Sequence, residues 1–256
     1  MSVSVPRTAT LPVPPPGVQR ATPVVPPGYS FGPLGREGLA AALSPVPSAL
    51  SVSWWQGVAP RAVVPSGRGR VTYPDLPALA GDLRAELATT APKGTGAVLS
   101  GAIYGPTGEG LDGEASPEAS GTAKRRSREV SAWSLLVVDL DGSPGGLTLG
   151  AAADALRALG LAAVLYPSPS AEGPALDVVR WRALVRVAGW TQGAHAELSR
   201  VLGFARRGPL ARALGSVLGP VDPSTLHPAA AAYVHPVKAP RDGADVVEVP
   251  GHALDL

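Results

Sequence analysis

Two acidic residues stand one position apart at the end of an apolar run, in the stretch WSLLVVDLDG that covers residues 133–142. Leu135, Leu136, Val137 and Val138 form a short β-rich segment bounded by turn residues, which predicts a buried strand. Side chains alternate along a strand, so Asp139 and Asp141 are expected on one face and Leu140 on the other. Two like charges about 4 Å apart repel by roughly 1–4 kcal/mol, depending on local screening. A fold tolerates that when a cation sits between them, and hard carboxylate oxygens suit Mg²⁺ or Mn²⁺. The plainer alternative is a turn in which one Asp caps a helix and the other is solvated.

The elements around this pair follow from periodicity. Leu149 to Leu159 carries apolar residues at helical spacing and is closed by Gly160. Ala162 to Tyr166 reads as the next strand and runs into Pro167, Ser168, Pro169 and Ser170. Val179 to Val187 alternates, with Val179, Trp181, Ala183, Val185 and Val187 on one face and Arg180, Arg182 and Arg186 on the other beside Leu184. Three guanidiniums on one strand face are costly unless they meet anions, and a nucleoside triphosphate or a nucleic-acid backbone would satisfy them. An exposed antiparallel face open to water is the alternative. Thr191 to Phe204 and Pro209 to Leu218 read as two helices, with Thr191 at an N-cap and Pro209 at a first helical position.

Upstream, Ser48 to Trp55 alternates as a half-buried strand, and a second short strand falls within 61–73. Tyr73 to Thr90 is an amphipathic helix carrying Leu76, Leu79, Leu83 and Leu87 on one face. Lys93 follows in a loop, and Ala97 to Tyr104 is expected as one strand. A Gly/Glu/Ser loop then leads into Lys124, Arg125, Arg126 and Arg128, the densest basic cluster in the chain. Such a run is usually a solvated face, but here it immediately precedes the acidic strand. Residues 1–47 hold 11 of the 29 prolines, which predicts a disordered tail, with a short helix at Gly35 to Leu43 as an option. Residues 48–256 are then one folded domain.

Composition narrows the rest. The chain has 256 residues, 45% of them hydrophobic, enough for one sizeable core. It has no cysteine, which excludes disulfides and thiolate zinc sites. The net charge of +2 is small, with the basic residues clustered. No apolar run has the length of a membrane span, and the N-terminus lacks a signal-peptide core. The expectation is a soluble, cytoplasmic protein with no membrane partner. None of His195, His227, His235 and His252 stands at metal-ligand spacing from another.

The order of pieces resembles the primase-polymerase domain of phage and plasmid replication proteins, in the archaeo-eukaryotic primase superfamily, over roughly residues 50–256. The resemblance rests on Asp139-x-Asp141 followed some forty residues later by Arg180-Trp181-Arg182, then Asp222-Pro223-Ser224 ahead of Tyr233-x-x-Pro236. It implies an α+β fold: an RRM-like catalytic core preceded by an α/β subdomain. It further implies metal-dependent nucleotidyl transfer on a DNA template from nucleoside triphosphates, working with a separate replicative helicase. Asp139 and Asp141 match the metal-binding pair, and Asp222 is the candidate third carboxylate. Arg180 and Arg182 match nucleotide-contacting arginines, with Ser168, Ser170 and Lys93 as further nucleotide-binding candidates. Lys124, Arg125, Arg126 and Arg128 would follow the nucleic-acid backbone. Where the family carries Ser-x-His, this chain has Ser168-Pro169-Ser170, and the family's later Asp…Pro-x-Arg pattern reads Asp222…Pro228-Ala229 here, without the arginine. Two alternatives therefore stand beside the enzyme: a nucleic-acid-binding replication module without catalysis, and a haloacid-dehalogenase-type phosphatase with Asp139 as nucleophile and Asp141 as acid/base.

Overall fold

The computed structural model describes residues 43–44, 46, 49–56, 69–92, 95–104, 130–142, 145–188, 209–226 and 230–255. The strands are β1 (Leu43–Ser44), β2 (Leu50–Gln56), β3 (Gly69–Tyr73), β4 (Ala97–Ser100), β5 (Ala102–Tyr104), β6 (Val130–Trp133), β7 (Leu135–Asp141), β8 (Ala163–Pro167), β9 (Arg180–Ala188), β10 (Ala232–Tyr233), β11 (Val247–Val249) and β12 (Ala253–Asp255). The helices are α1 (Leu76–Leu87), α2 (Leu149–Leu159) and α3 (Pro209–Leu218). The fold is mixed α+β, and its sheets are antiparallel apart from the pairing of β12 with β9. Among the described residues, no helix is long and apolar enough to cross a membrane.

Strand β9 is the centre. Its alternating pattern gives it two useful faces, and β7 and β8 both pair with it antiparallel. The chain runs from β7 through α2 to β8 and back as β9, which inserts between the two strands it follows. This is a split β-α-β arrangement. β11 extends the sheet beyond β8, while β12, with β1 outside it, pairs with the last residues of β9. A second sheet runs β10-β4-β2-β3, and β5 pairs with β6.

The two faces of the central sheet bury different partners. On one, Leu136, Val138 and Leu140, Trp181, Ala183 and Val185, and Ala163 and Leu165 pack against Leu149 and Leu156 of α2 and Leu214 and Leu218 of α3. On the other, Leu135, Val137, Leu184, Val164 and Tyr166 pack against Leu79, Leu83 and Leu87 of α1 and against Trp54 and Leu99 of the second sheet. The three α1 leucines are completely buried, each contributing about 1.5–3 kcal/mol relative to exposure. Helices α1 and α2 begin at side-chain caps. Asp75 accepts from the Ala78 amide ahead of α1, Thr148 accepts from the Ala151 amide ahead of α2, and Gly160 closes α2 at φ 73°.

Three expectations are corrected. Ala97 to Tyr104 is two strands in two sheets, not one. The chain breaks at Gly101, where any Cβ would lie 2.0 Å from the Leu135 carbonyl oxygen, so only glycine permits the approach that lets Ser134 N–H donate to the Gly101 carbonyl at 2.7 Å. Leu43 and Ser44, assigned to the tail by their proline-rich surroundings, form β1 against β12. The helix expected from Tyr73 to Thr90 is shorter, since Tyr73 ends β3 and α1 spans Leu76–Leu87; β11 and β12 have three residues each, too few alternations for a periodicity to register. The other residues of the expected tail apart from Val46, residues 35–42 of the optional helix and the helix over 191–204 lie outside the described residues.

Arg186 shows how the fold handles a cation on a buried strand face. Its side chain is almost fully buried and is enclosed by backbone carbonyls: Nη1 donates to Ser134 at 2.9 Å and to Val187 at 3.2 Å, and Nη2 donates to Ala49. Burial pushes its pKa down to about 10, still charged at neutral pH. Replacing it with methionine keeps the stem but strips donors from these carbonyls. Arg186→Met should lower the unfolding free energy by roughly 2–4 kcal/mol. The loss should appear in urea as a lower midpoint with an unchanged slope; an unchanged midpoint would mean the carbonyls find other donors at no cost.

Candidate functional site

The site is built row by row across β7, β9 and β8. Register pairs Val137 with Leu184 and Leu184 with Val164, an apolar row under the second sheet. The next row of that face is Asp139, Arg182 and Tyr166. In the row after that, Asp141 lies opposite Arg180, whose carbonyl accepts from the Ser168 amide at 3.0 Å. Within two rows the face thus changes from hydrocarbon to charge, because the alternation that supplies leucine and valine deeper in the sheet supplies Asp, Arg and Tyr at its end.

Asp139 and Arg182 form a buried pair. The guanidinium donates from Nε at 2.9 Å and from Nη2 at 2.8 Å to the same oxygen, Oδ2. Its Nη1 donates to the Tyr233 carbonyl at 2.7 Å, which ties β9 to β10 of the second sheet. The side chains are 9% and 12% exposed, so water screens the pair little. Tyr166 is fully buried beside them. Burial raises its phenol well above the usual tyrosine value, Arg182 partly opposes that, and Asp139 adds to it. Among the described residues its hydroxyl finds no hydrogen bond of acceptable geometry, and neither does the buried Ser168 Oγ.

Asp222 reaches the same strand end through its backbone: its amide donates to the Asp139 carbonyl at 2.9 Å. Its carboxylate is turned to its own loop, where Oδ1 accepts from the Ser224 amide and Oδ2 from the Ser224 hydroxyl, both at 2.8 Å. Arg180 is exposed and its stem lies over Gly142, where a Cβ would meet Arg180 Cγ at 3.0 Å. Gly142 has φ 74°, the left-handed turn that ends β7 and that the Asp-Gly pair signals. Ser170 is exposed. The loop after β8 is pinned by the C-terminal segment: Val237 N–H donates to the Pro169 carbonyl at 3.0 Å, Arg241 donates to the Ala171 and Gly173 carbonyls, and Lys238 pairs with Glu172, holding that carboxyl below its usual value.

The structure therefore brings Asp139, Arg182 and Tyr166 into contact range and sets the backbones of Asp141, Arg180, Ser168 and Asp222 around them. Lys93, Lys124, Arg125, Arg126 and Arg128 lie outside the described residues, as does the Asp141 side chain. Sequence reasoning missed Tyr166, Tyr233 and Arg241. Tyr166 was legible in principle, since it lies two positions before Ser168 on the same strand face; the other two reach the site only through tertiary packing.

The donor set can be weighed against a divalent cation. Carboxylates at 139, 141 and 222 are hard oxygen donors of the kind Mg²⁺ and Mn²⁺ take, and the backbone joins two of the three positions. Among the described residues no three His, Cys, Asp or Glu side chains gather at metal-holding spacing. Asp139 Oδ2 and both Asp222 carboxylate oxygens are engaged by Arg182 and Ser224 instead. Comparison of the chain with protein-family models, with curated proteins and with solved structures finds no match.

Two measurements test this geometry. Removing one member of the buried pair takes a full counter-charge from the other, so Arg182→Met should cost about 3–5 kcal/mol. The double variant Asp139→Leu/Arg182→Met should recover much of that loss in a urea double-mutant cycle; additive losses would mean the pair is not coupled. Tyr166 gives a pH dependence. The folded phenol holds its proton where the unfolded one, near 10, releases it, so its contribution is complete below pH 10 and is lost as pH rises beyond. Between pH 8 and 11, wild type should lose more unfolding free energy than Tyr166→Phe; equal losses would contradict the buried neutral phenol.

Proposed function

We propose that the chain is a primase-polymerase-type nucleotidyltransferase module, acting on a nucleic-acid template with nucleoside triphosphates and Mg²⁺ or Mn²⁺. One observation carries this reading: an acidic strand end, with Asp139 and Asp141 on β7 and the Asp222 backbone bonded to Asp139, faces Arg180 and Arg182 on the adjacent strand. Carboxylates to hold metal and arginines to hold phosphate are the two things phosphoryl chemistry asks of a protein. The order β7-β9-β8, with α2 crossing from β7 to β8 and α2 and α3 on one face, supports an RRM-like core. The strand that follows α3, β10, pairs in the second sheet.

In this reading Asp139, Asp141 and Asp222 would hold the metal, which neutralises phosphate charge and activates the attacking hydroxyl. Arg180, exposed at the open end of the sheet, binds the triphosphate. Ser168 and Ser170 sit on a loop whose position the C-terminal segment fixes, so the nucleotide pocket has a rigid edge. The template follows the basic run 124–128, a contact weakened by salt.

A second reading, a binding module without catalysis, is favoured by one feature: Arg182 already neutralises Asp139 inside the protein, and Ser168-Pro169-Ser170 lacks a histidine. The phosphatase alternative has less support, because its nucleophile would be a carboxylate buried to 7% exposure and held by a guanidinium. Primer extension with Mn²⁺ separates all three. The enzyme incorporates nucleotide, and Asp141→Asn reduces this by roughly a hundredfold or more, beyond the ten- to hundredfold loss usual for an outer-shell partner. Template binding without incorporation by wild type would favour the binder, and phosphate release from small phosphomonoesters would favour the phosphatase.

A further inference from the structure

Resting on the nucleotide-binding part of that reading, we infer that residues 235–241 form a strap that sets the affinity for the triphosphate, with Arg241 as its positioning residue. Arg241 acts through the loop after β8 rather than on the ligand itself. The strap is anchored first to the end of α1. His235 stands between Glu86 and Thr89, its Nε2 2.7 Å from Glu86 Oε2 and its Nδ1 3.0 Å from Thr89 Oγ1. The Ala91 amide donates to the Pro236 carbonyl at 3.1 Å, and the Arg241 amide donates to the Leu87 carbonyl at 2.8 Å. The last carbonyls of a helix have no partner within the helix, so the end of α1 offers the strap a fixed acceptor at Leu87.

The other side of the strap holds the loop. The Arg241 guanidinium donates from Nη2 to the Ala171 carbonyl at 2.5 Å and from Nη1 to the Gly173 carbonyl at 3.3 Å. Nη1 also meets Asp245 Oδ2 at 3.1 Å, and the two side chains are 10% and 18% exposed, so water competes little for these bonds. One planar group thus answers two loop carbonyls and a carboxylate, a fork that a lysine cannot reproduce. Lys238 and Glu172 span the same gap, but as an exposed ion pair that water screens. The loop begins at Ser168, whose amide donates to the Arg180 carbonyl at 3.0 Å and whose carbonyl accepts from the Ala171 amide at 2.9 Å. The turn 168–171 is therefore held at its start by β9 and at its end by Arg241. The buried Ser168 hydroxyl has no hydrogen-bond partner among the described residues, so the backbone of this turn sets its place. Without Arg241, residues 168–173 are free to move away from Arg180, and an anion on that exposed guanidinium loses the edge beside it.

The test uses the full chain and two readouts: amide hydrogen exchange, and the affinity for ATP and dATP measured by calorimetry. Arg241→Met keeps the stem and removes the donors. Its Ser168 and Ala171 amides should exchange roughly tenfold faster or more, beyond any change in the β9 amides. Its triphosphate affinity should fall by roughly ten- to hundredfold, the scale of a ligand edge misplaced by a distant change. Arg241→Lys, with one donor group restored, should recover part of both. Arg186→Met loosens the sheet away from the loop and should keep the wild-type affinity; a loss equal to that of Arg241→Met would reduce Arg241 to general stability and overturn the inference. Asp245→Asn keeps its shape and weakens only the hold on Arg241, so it serves if Arg241→Met does not fold: affinity should fall in the same direction, by less. Wild-type affinity in every Arg241 and Asp245 variant that folds would overturn the strap's role and leave the nucleotide reading standing. Failure of wild type to bind either triphosphate would sink the nucleotide reading, and this inference with it.

Discussion

A carboxylate and a guanidinium, placed opposite each other on adjacent strands and shielded from water, set the terms for everything around them. Neither charge is tolerable alone at that depth, so β7 and β9 are fixed in register by electrostatics as well as by hydrophobic pattern. A slip of one residue would put Arg182 among the valines under α2 and leave Asp139 facing hydrocarbon. The third donor of the same guanidinium reaches the second sheet at the Tyr233 carbonyl, so the junction of the two sheets depends on this pair as well. The functional reading and the architecture thus share one interaction.

The three arginines on β9 mark a gradient along one strand face. Arg186, at the closed end, is surrounded by carbonyls; Arg182, in the middle, meets a carboxylate; Arg180, at the open end, meets solvent. The residue type is constant and the partners change with depth. Carbonyls supply partial charges to the first, a carboxylate supplies a full counter-charge to the second, and the third projects into water.

Much of the architecture was legible in the chain. The 149–159 helix carries its stop signal in Gly160, and the structure ends it there. Pro209 begins α3 as a first-turn proline should. The alternation over 180–187 sorts Trp181, Ala183 and Val185 from Arg180, Arg182 and Arg186, and the sheet places the two sets on opposite faces as that pattern requires. The failures are equally physical. Strands of two or three residues, such as β1, β10 and β12, are stabilised by the partners they add to rather than by any pattern of their own. The Gly101 break is set by a close approach to Leu135, a residue distant in sequence.

For the site, sequence alone determined which side chains share a face: Asp139 with Asp141, and Arg180 with Arg182 and Arg186, because strand alternation is a local property of the backbone. It also determined that such charges needed counter-charges. Which counter-charge each one met was decided only by tertiary structure. Strand order and register are long-range facts, and they set Arg182 against Asp139, Asp222 against the end of β7, and the Tyr233 carbonyl against Arg182. A periodicity can state that a charge must be answered, but the residue that answers it is chosen by which strands become neighbours.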